Sequence, residues 1–169
     1  METKQIEVYQ YNELDEKAKE RARNWYLEAS AGDCFEWDCI KDDAKTVGLR
    51  LDGTHRGSME GDFIESAIEC ANSVLKEHGE SCETYSTAKN FLKERAEIES
   101  AAVRDEGGIV DETTYDNLIY ACEKEFLRSI LEDYRVMADK QEEYIQSEEY
   151  IAECTEANEY EFTKEGKRI

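Results

Sequence analysis

The chain has 169 residues, with 42 Asp and Glu against 21 Lys and Arg, for a formal net charge of −21. A surface this acidic repels nucleic acid and anionic membrane and steers the protein toward basic partners. With 40% hydrophobic and 10% aromatic residues it is too apolar for a disordered acidic tail, so one compact domain over residues 1–169 is expected.

The acidic excess grows along the chain, from −4 over residues 1–50 to −7 over 51–110 and −10 over 111–169. Six cysteines, at 34, 39, 70, 82, 122 and 154, form no Cys-x-x-Cys pair. Residues 1–12 are polar and contain no signal-peptide apolar run, and no stretch approaches the roughly 18 apolar residues of a membrane span. Reduced thiols and a cytosolic location are therefore expected.

Residues 4–11 alternate, with Ile6 and Val8 on one face and Glu7, Tyr9 and Tyr11 on the other, which predicts a first strand. Asn12 is placed to cap a helix through Leu14, Ala18, Ala22, Trp25 and Ala29 that stops at Gly32. Asp33 and Glu36 have the spacing of a capping box for a second helix carrying Trp37, Ile40, Ala44 and Val47, closed by Gly48. Residues 49–51 and 56–63 predict a hairpin turning at Asp52-Gly53. Asp62 and Glu65 are candidate caps of a third helix striped by Ile64, Ala67, Ile68, Ala71, Val74 and Leu75, ending at His78-Gly79. A fourth helix is predicted over 84–104, and Gly107-Gly108 separates it from the longest one. That helix runs from Asp111 through Tyr115, Leu118, Ile119, Cys122, Phe126, Ile130, Tyr134 and Met137, with no proline in the chain to break it.

Residues 139–157 are helical in pattern and either continue that helix or restart at Ser147. Tyr160 and Phe162 alternate with Glu161 and Thr163, and Glu165-Gly166 predicts a turn, so the chain ends on a short strand. The sum is an α+β fold, a small, mostly antiparallel sheet packed by about five helices with a long C-terminal helix.

The stretch 139–161 holds nine carboxylates, at Asp139, Glu142, Glu143, Glu148, Glu149, Glu153, Glu156, Glu159 and Glu161, and one base, Lys140. In a continuous helix Asp139, Glu142, Glu149, Glu153 and Glu156 share one face over roughly 26 Å, because steps of three, four and seven return to the same side. Such an array imitates a phosphate backbone and fits a Lys/Arg groove; as a plain charge run it is a solvated helix face. Glu60, Asp62, Glu65 and Glu69 offer a second acidic edge. Tyr144, Tyr150 and Tyr160 lie inside the acidic stretch, and aromatics ringed by carboxylates suit an arginine.

Cys34 and Cys39, or His78 and Cys82, lack the spacing of a zinc site, and Cys39, Cys70 and Cys122 lie beside apolar stripes as small buried hydrophobes. The oxygen-rich runs 52–55 and 60–62 do not follow an EF-hand loop. No phosphate-binding loop, nucleophile elbow or His-Glu-x-x-His occurs, so neither enzyme activity nor a metal or other cofactor is expected. His55, between Asp52 and Arg56, is the one residue to test as a catalytic base, against the plainer role of an exposed loop histidine.

The opening Tyr11-Asn12-Glu13-Leu14 with Lys17-Ala18-Lys19-Glu20-Arg21-Ala22-Arg23-Asn24-Trp25-Tyr26, and the ending Ala157-Asn158-Glu159-Tyr160-Glu161-Phe162-Thr163 with Gly166-Lys167-Arg168-Ile169, resemble small acidic proteins encoded by bacteriophages and prophages. Small acidic phage proteins include anti-CRISPR and antirestriction proteins that imitate DNA. By that analogy of class, the resemblance implies an inhibitor whose partner is a basic nucleic-acid-binding complex of the host, without direct nucleic-acid or membrane binding. The alternative expectation is a structural or regulatory phage protein forming a helical homodimer, its charge serving solubility.

Overall fold

The computed structural model describes residues 7–30, 35–55, 57–103 and 112–169. Among these it is an α+β protein: helices α1 (Glu16–Ser30) and α2 (Phe35–Thr46), strands β1 (Leu49–His55) and β2 (Ser58–Phe63), then α3 (Ala67–Glu77), α4 (Glu83–Val103), α5 (Glu112–Ile145) and α6 (Glu148–Ala157). The chain packs as two compact units, one of Met1–Glu36 with Asp139–Ile169 and one of Trp37–Ala138.

In the central unit, Gly48 takes a φ of +80° and leads from α2 into β1. β1 and β2 pair antiparallel, Leu49 opposite Phe63 and His55 opposite Ser58, with an irregularity between Leu51 and Gly53. The expected turn at Asp52-Gly53 is therefore a bulge inside β1. Gly53, at φ +128°, absorbs the extra residue, and the chain reverses after His55, where Gly57 has φ +81°.

α3 is capped by Ser66 and not by Asp62: the Ser66 Oγ accepts the Glu69 N–H at 3.2 Å and donates to Glu69 Oε2 at 2.7 Å. Asp62 accepts the Phe63 N–H instead. Ile64 falls outside the helix and is 50% exposed, so the apolar stripe is narrower than the sequence pattern suggests.

Val47, Leu49, Ala71, Val74, Ala88 and Ile130 are fully buried around a column in which Phe126 stacks on Phe91 at 4.3 Å and on Phe63 at 5.6 Å. Gly61 permits close approach on two sides: a Cβ there would lie 2.2 Å from the Arg50 carbonyl oxygen of β1 and 2.9 Å from Leu131 Cδ2 of α5. Cys70 and Cys122 are buried as expected, and burial pushes the Cys70 thiol up to about 12. Cys39 is exposed, on the outer side of α2. The free cysteines among the described residues are 39, 70, 82, 122 and 154.

The unit made from the two chain ends is built around Phe162. Its N–H donates to the Tyr9 carbonyl and its carbonyl accepts from the Tyr9 N–H, both at 2.9 Å, while Arg168 bridges it on the other side. The expected terminal strands contract to these isolated bridges. Val8 is 47% exposed and does not extend an apolar face, and residues 4–6 lie outside the described part.

Asn12 does not cap α1. It sits in a 3-10 turn (Tyr11–Glu13) closed by the Gln10 N–H donating to Glu13 Oε2, and α1 starts where Asp15 Oδ1 accepts the Ala18 N–H. Tyr11, Leu14, Ala18, Ala22, Ile151 and Phe162 form the core, with Trp25 edge-on to Phe162. Gly166, at φ +77°, lets the C-terminal turn lie on α1: a Cβ would stand 2.0 Å from the Ala18 carbonyl oxygen. Gly32, Asp33, Arg56 and Gly107-Gly108 also lie outside the described residues.

Candidate acidic interface

Of the two sequence alternatives for residues 139–157, the restart is what occurs. Ser147 is extended (φ −70°, ψ 151°), its N–H donates to the Tyr144 carbonyl, and its Oγ accepts the Tyr150 N–H at 3.2 Å. A serine that satisfies a free N–H in this way favours a new helix start over continuation. The 26 Å stripe is consequently divided. Asp139, Glu142 and Glu143 occupy the last turns of α5, and Glu149, Glu153 and Glu156 occupy α6.

On α6, Ile151 and Thr155 are fully buried, the Thr155 hydroxyl donating to the Ala152 carbonyl at 3.0 Å. Glu149, Glu153 and Glu156 lie on the far side of the helix and are exposed. Their steps of four and three residues put them about 6 and 4.5 Å apart along the axis. Among the described residues none of the three forms an ion pair within 4.0 Å.

The other carboxylates divide by environment. Glu148 points from the edge of the buried face and pairs with Lys19 of α1 at 3.0 Å, a contact that raises the lysine pKa, so it fastens α6 as well as adding charge. Glu142 accepts from the Gln146 amide at 3.3 Å. Glu159 takes φ +53° just past the helix end, where its N–H donates to the Glu156 carbonyl. Glu161 is exposed beside buried Phe162, and its carbonyl accepts the Ile169 N–H. Inside, burial and the neighbouring Cys154 thiol push the Tyr26 phenol above its ordinary range, which marks how closely α1 and α6 pack.

The helix break brings Tyr144 and Tyr150 together, edge to face at 5.2 Å, with Tyr144 44% exposed. Tyr160 is used differently. It stands edge-on to Trp25 at 5.2 Å, and the guanidinium of Arg168 lies 4.8 Å from its ring centre, so this aromatic already holds an arginine of its own chain. Glu60, Asp62, Glu65 and Glu69, the second acidic edge, are exposed on β2, on the following turn and on α3 of the central unit.

The central unit holds a cluster that sequence reading missed. His78, the C-cap of α3, has Nδ1 2.7 Å from Thr84 Oγ1 and Nε2 3.5 Å from Asp43 Oδ2, which also accepts the Tyr134 hydroxyl at 2.8 Å. Hydroxyl, imidazole and carboxylate stand in the order of a nucleophilic triad. Thr84, however, is only 1% exposed, so no substrate reaches its oxygen, and the cluster ties α2, α3, α4 and α5 together. Its faint signal in the sequence is a histidine at a helix end six residues before a threonine in the next helix. The side chain of His55 lies outside the described residues.

Among the described residues no three His, Cys, Asp or Glu side chains converge as a metal site, and no helix is long and apolar enough to cross a membrane. No protein-family model, curated protein or solved structure matches the chain.

Proposed function

We propose that this protein is a phage-type accessory protein that inhibits a nucleic-acid-targeting defence complex of the host, of the anti-CRISPR or antirestriction class, by occupying its basic groove as an acidic mimic of DNA. The observation that carries the reading is the outward face of α6, where Glu149, Glu153 and Glu156 stand exposed and unpaired among the described residues on a helix anchored by buried Ile151 and Thr155. The helix fixes the spacing of these carboxylates, so binding has only their side-chain rotamers to order, and a net charge of −21 accelerates encounter with a cationic groove. Tyr144 and Tyr150, edge to face, add an aromatic contact beside Glu148 and Glu149 that suits an arginine of the partner.

The test is DNA cleavage by a panel of purified restriction enzymes and RNA-guided nucleases with increasing amounts of the protein. At least one member should lose DNA binding competitively. Replacing Glu142, Glu149, Glu153 and Glu156 with Gln should leave the fold intact while slowing association and flattening its salt dependence, since exposed carboxylates contribute little to stability. No inhibition of any member, or equal rates and salt slopes for the variant, would defeat the reading.

The second reading, a homodimer through α5 with the charge serving solubility, needs an exposed apolar stripe, and Leu118 and Tyr120 are exposed but lie on opposite sides of the helix. Sedimentation equilibrium separates the two.

A further inference from the structure

β1 and β2 make a two-stranded sheet, and among the described residues no strand pairs with the outer edge of β2. At that edge the Phe63 N–H is held by Asp62 Oδ1 at 2.9 Å, a bond that the carbonyl of an incoming strand would replace. Alongside runs a groove between β2 and α5 of about 730 Å³, floored by Met59, Ala121, Leu127 and Leu131, with Lys124 and Arg128 on its wall. It continues into a second hollow of about 320 Å³ lined by Phe63, Tyr120 and Leu127, with Asp62 and Glu123 on its rim. No β1 residue lines either one, so both lie on the open side of the hairpin. From Tyr120 to Leu131 the groove follows α5 for about 16 Å at 1.5 Å per residue, the length of about five residues of extended chain.

A lone hairpin is a marginal sheet, and an apolar-floored trough beside a free edge is the geometry that takes up an added strand. We infer that β2 accepts an extended segment of a partner protein as a third strand, one that alternates apolar residues with Lys or Arg. The alternation follows from the faces of β2. Met59 is buried and Gly61 and Phe63 are half-buried toward α5, while Glu60 and Asp62 are exposed, the Asp62 carboxylate turning to the strand edge where it borders the second hollow. A strand laid beside β2 therefore places every second side chain over Leu127 and Leu131 and the intervening ones beside Glu60 and Asp62. Opposite charges across a ladder attract and like charges repel. A second copy of β2 would bring Glu60 and Asp62 against their own counterparts, which argues against self-pairing as the occupant. On the wall, Arg128 is neutralised by Glu125 and Lys124 lies over the Tyr120 ring at 5.0 Å, so neither repels the apolar side of the strand.

The probe is the capped peptide Lys-Val-Lys-Val-Lys-Val, titrated into the full isotope-labelled chain at physiological salt. Saturable shifts are expected at the amides of Met59, Gly61 and Phe63 and at the methyls of Leu127 and Leu131. An analogue N-methylated at alternate residues keeps the charge but loses ladder donors, and it should bind at least tenfold more weakly. Glu60→Lys, at an exposed position, should weaken the lysine peptide at least tenfold and strengthen a Glu-Val counterpart. The variant with Gln at 142, 149, 153 and 156 should bind the peptide like the parent, which separates this surface from the proposed DNA-mimic face. Equal affinity for the methylated analogue, shifts confined to α6, or a dimer in solution that buries the same residues would overturn the inference.

Discussion

The two units solve the same folding problem with different materials. Trp37–Ala138 is continuous in sequence and closes around aliphatic side chains and a three-phenylalanine stack. The other unit joins two distant segments, Met1–Glu36 and Asp139–Ile169, around a smaller core in which Phe162 meets Tyr11 and Trp25 edge to face. It carries 19 acidic against 9 basic residues, while the larger central unit carries 23 against 12. Charge is thus denser where the core is smaller. Buried apolar area must offset self-repulsion as well as chain entropy there.

The largest effect expected is in the central unit. Phe126→Ala removes the middle ring of the stack and should cost about 4 kcal/mol, the usual scale for emptying a buried phenylalanine site. Denaturant unfolding followed by hydrogen exchange at Leu49 and Val74 measures it. A loss under about 1 kcal/mol would mean that the stack is incidental to the core.

Gly166→Ala probes the smaller unit. A left-handed backbone costs an ordinary residue roughly 1–2 kcal/mol, and overlap with the Ala18 carbonyl adds a packing cost of about the same size, so a loss of about 3 kcal/mol is expected. Amide exchange in α6 should accelerate while Leu51 in β1 keeps its protection. Equal acceleration in both would show that the two cores unfold as one cooperative body.

Tyr134→Phe deletes the hydroxyl given to Asp43 and leaves that partly exposed carboxylate to water and His78, for a loss of about 1 kcal/mol by thermal unfolding. An unchanged midpoint would show that the His78 cluster adds no measurable stability.

The smallest effect is a pH dependence at Asp133. Burial raises its pKa above the ordinary 3.8, and the Thr87 hydroxyl, donated at 2.6 Å, partly offsets the rise. A raised folded-state value means that its contribution is complete below 3.8 and is lost as pH climbs through the folded value. Asp133→Asn should therefore match the parent at strongly acid pH and be the more stable of the two toward neutrality. The reverse order would show that the Thr87 bond outweighs desolvation.

Much of this architecture is legible in the sequence because its causes are local. The spacing of Ala88, Phe91 and Leu92 marks α4, the run from Tyr115 to Met137 marks α5, and Ser147 stands where a new helix can begin. The same periodicity turns Glu149, Glu153 and Glu156 away from Ile151, so the acidic face of α6 follows from residue order alone. Choices among competing neighbours were not legible. Asp62, Ser66 and Asn12 all have capping chemistry, and only the strand entering α3 and the turn entering α1 decide that Ser66 caps and the other two do not.

What tertiary structure decided are the pairings across long separations. Glu148 meets Lys19 across 129 residues and Tyr134 meets Asp43 across 91. Arg168 reaches Tyr160 where the tail turns at Gly166, and the groove beside β2 is walled by α5 residues more than 50 positions further along the chain. Helical period and caps act within a turn or two of the chain and can be read from residue order. A partner drawn from another part of the chain is selected by which surfaces pack with least void and fewest unpaired polar groups, and that is a property of the folded whole.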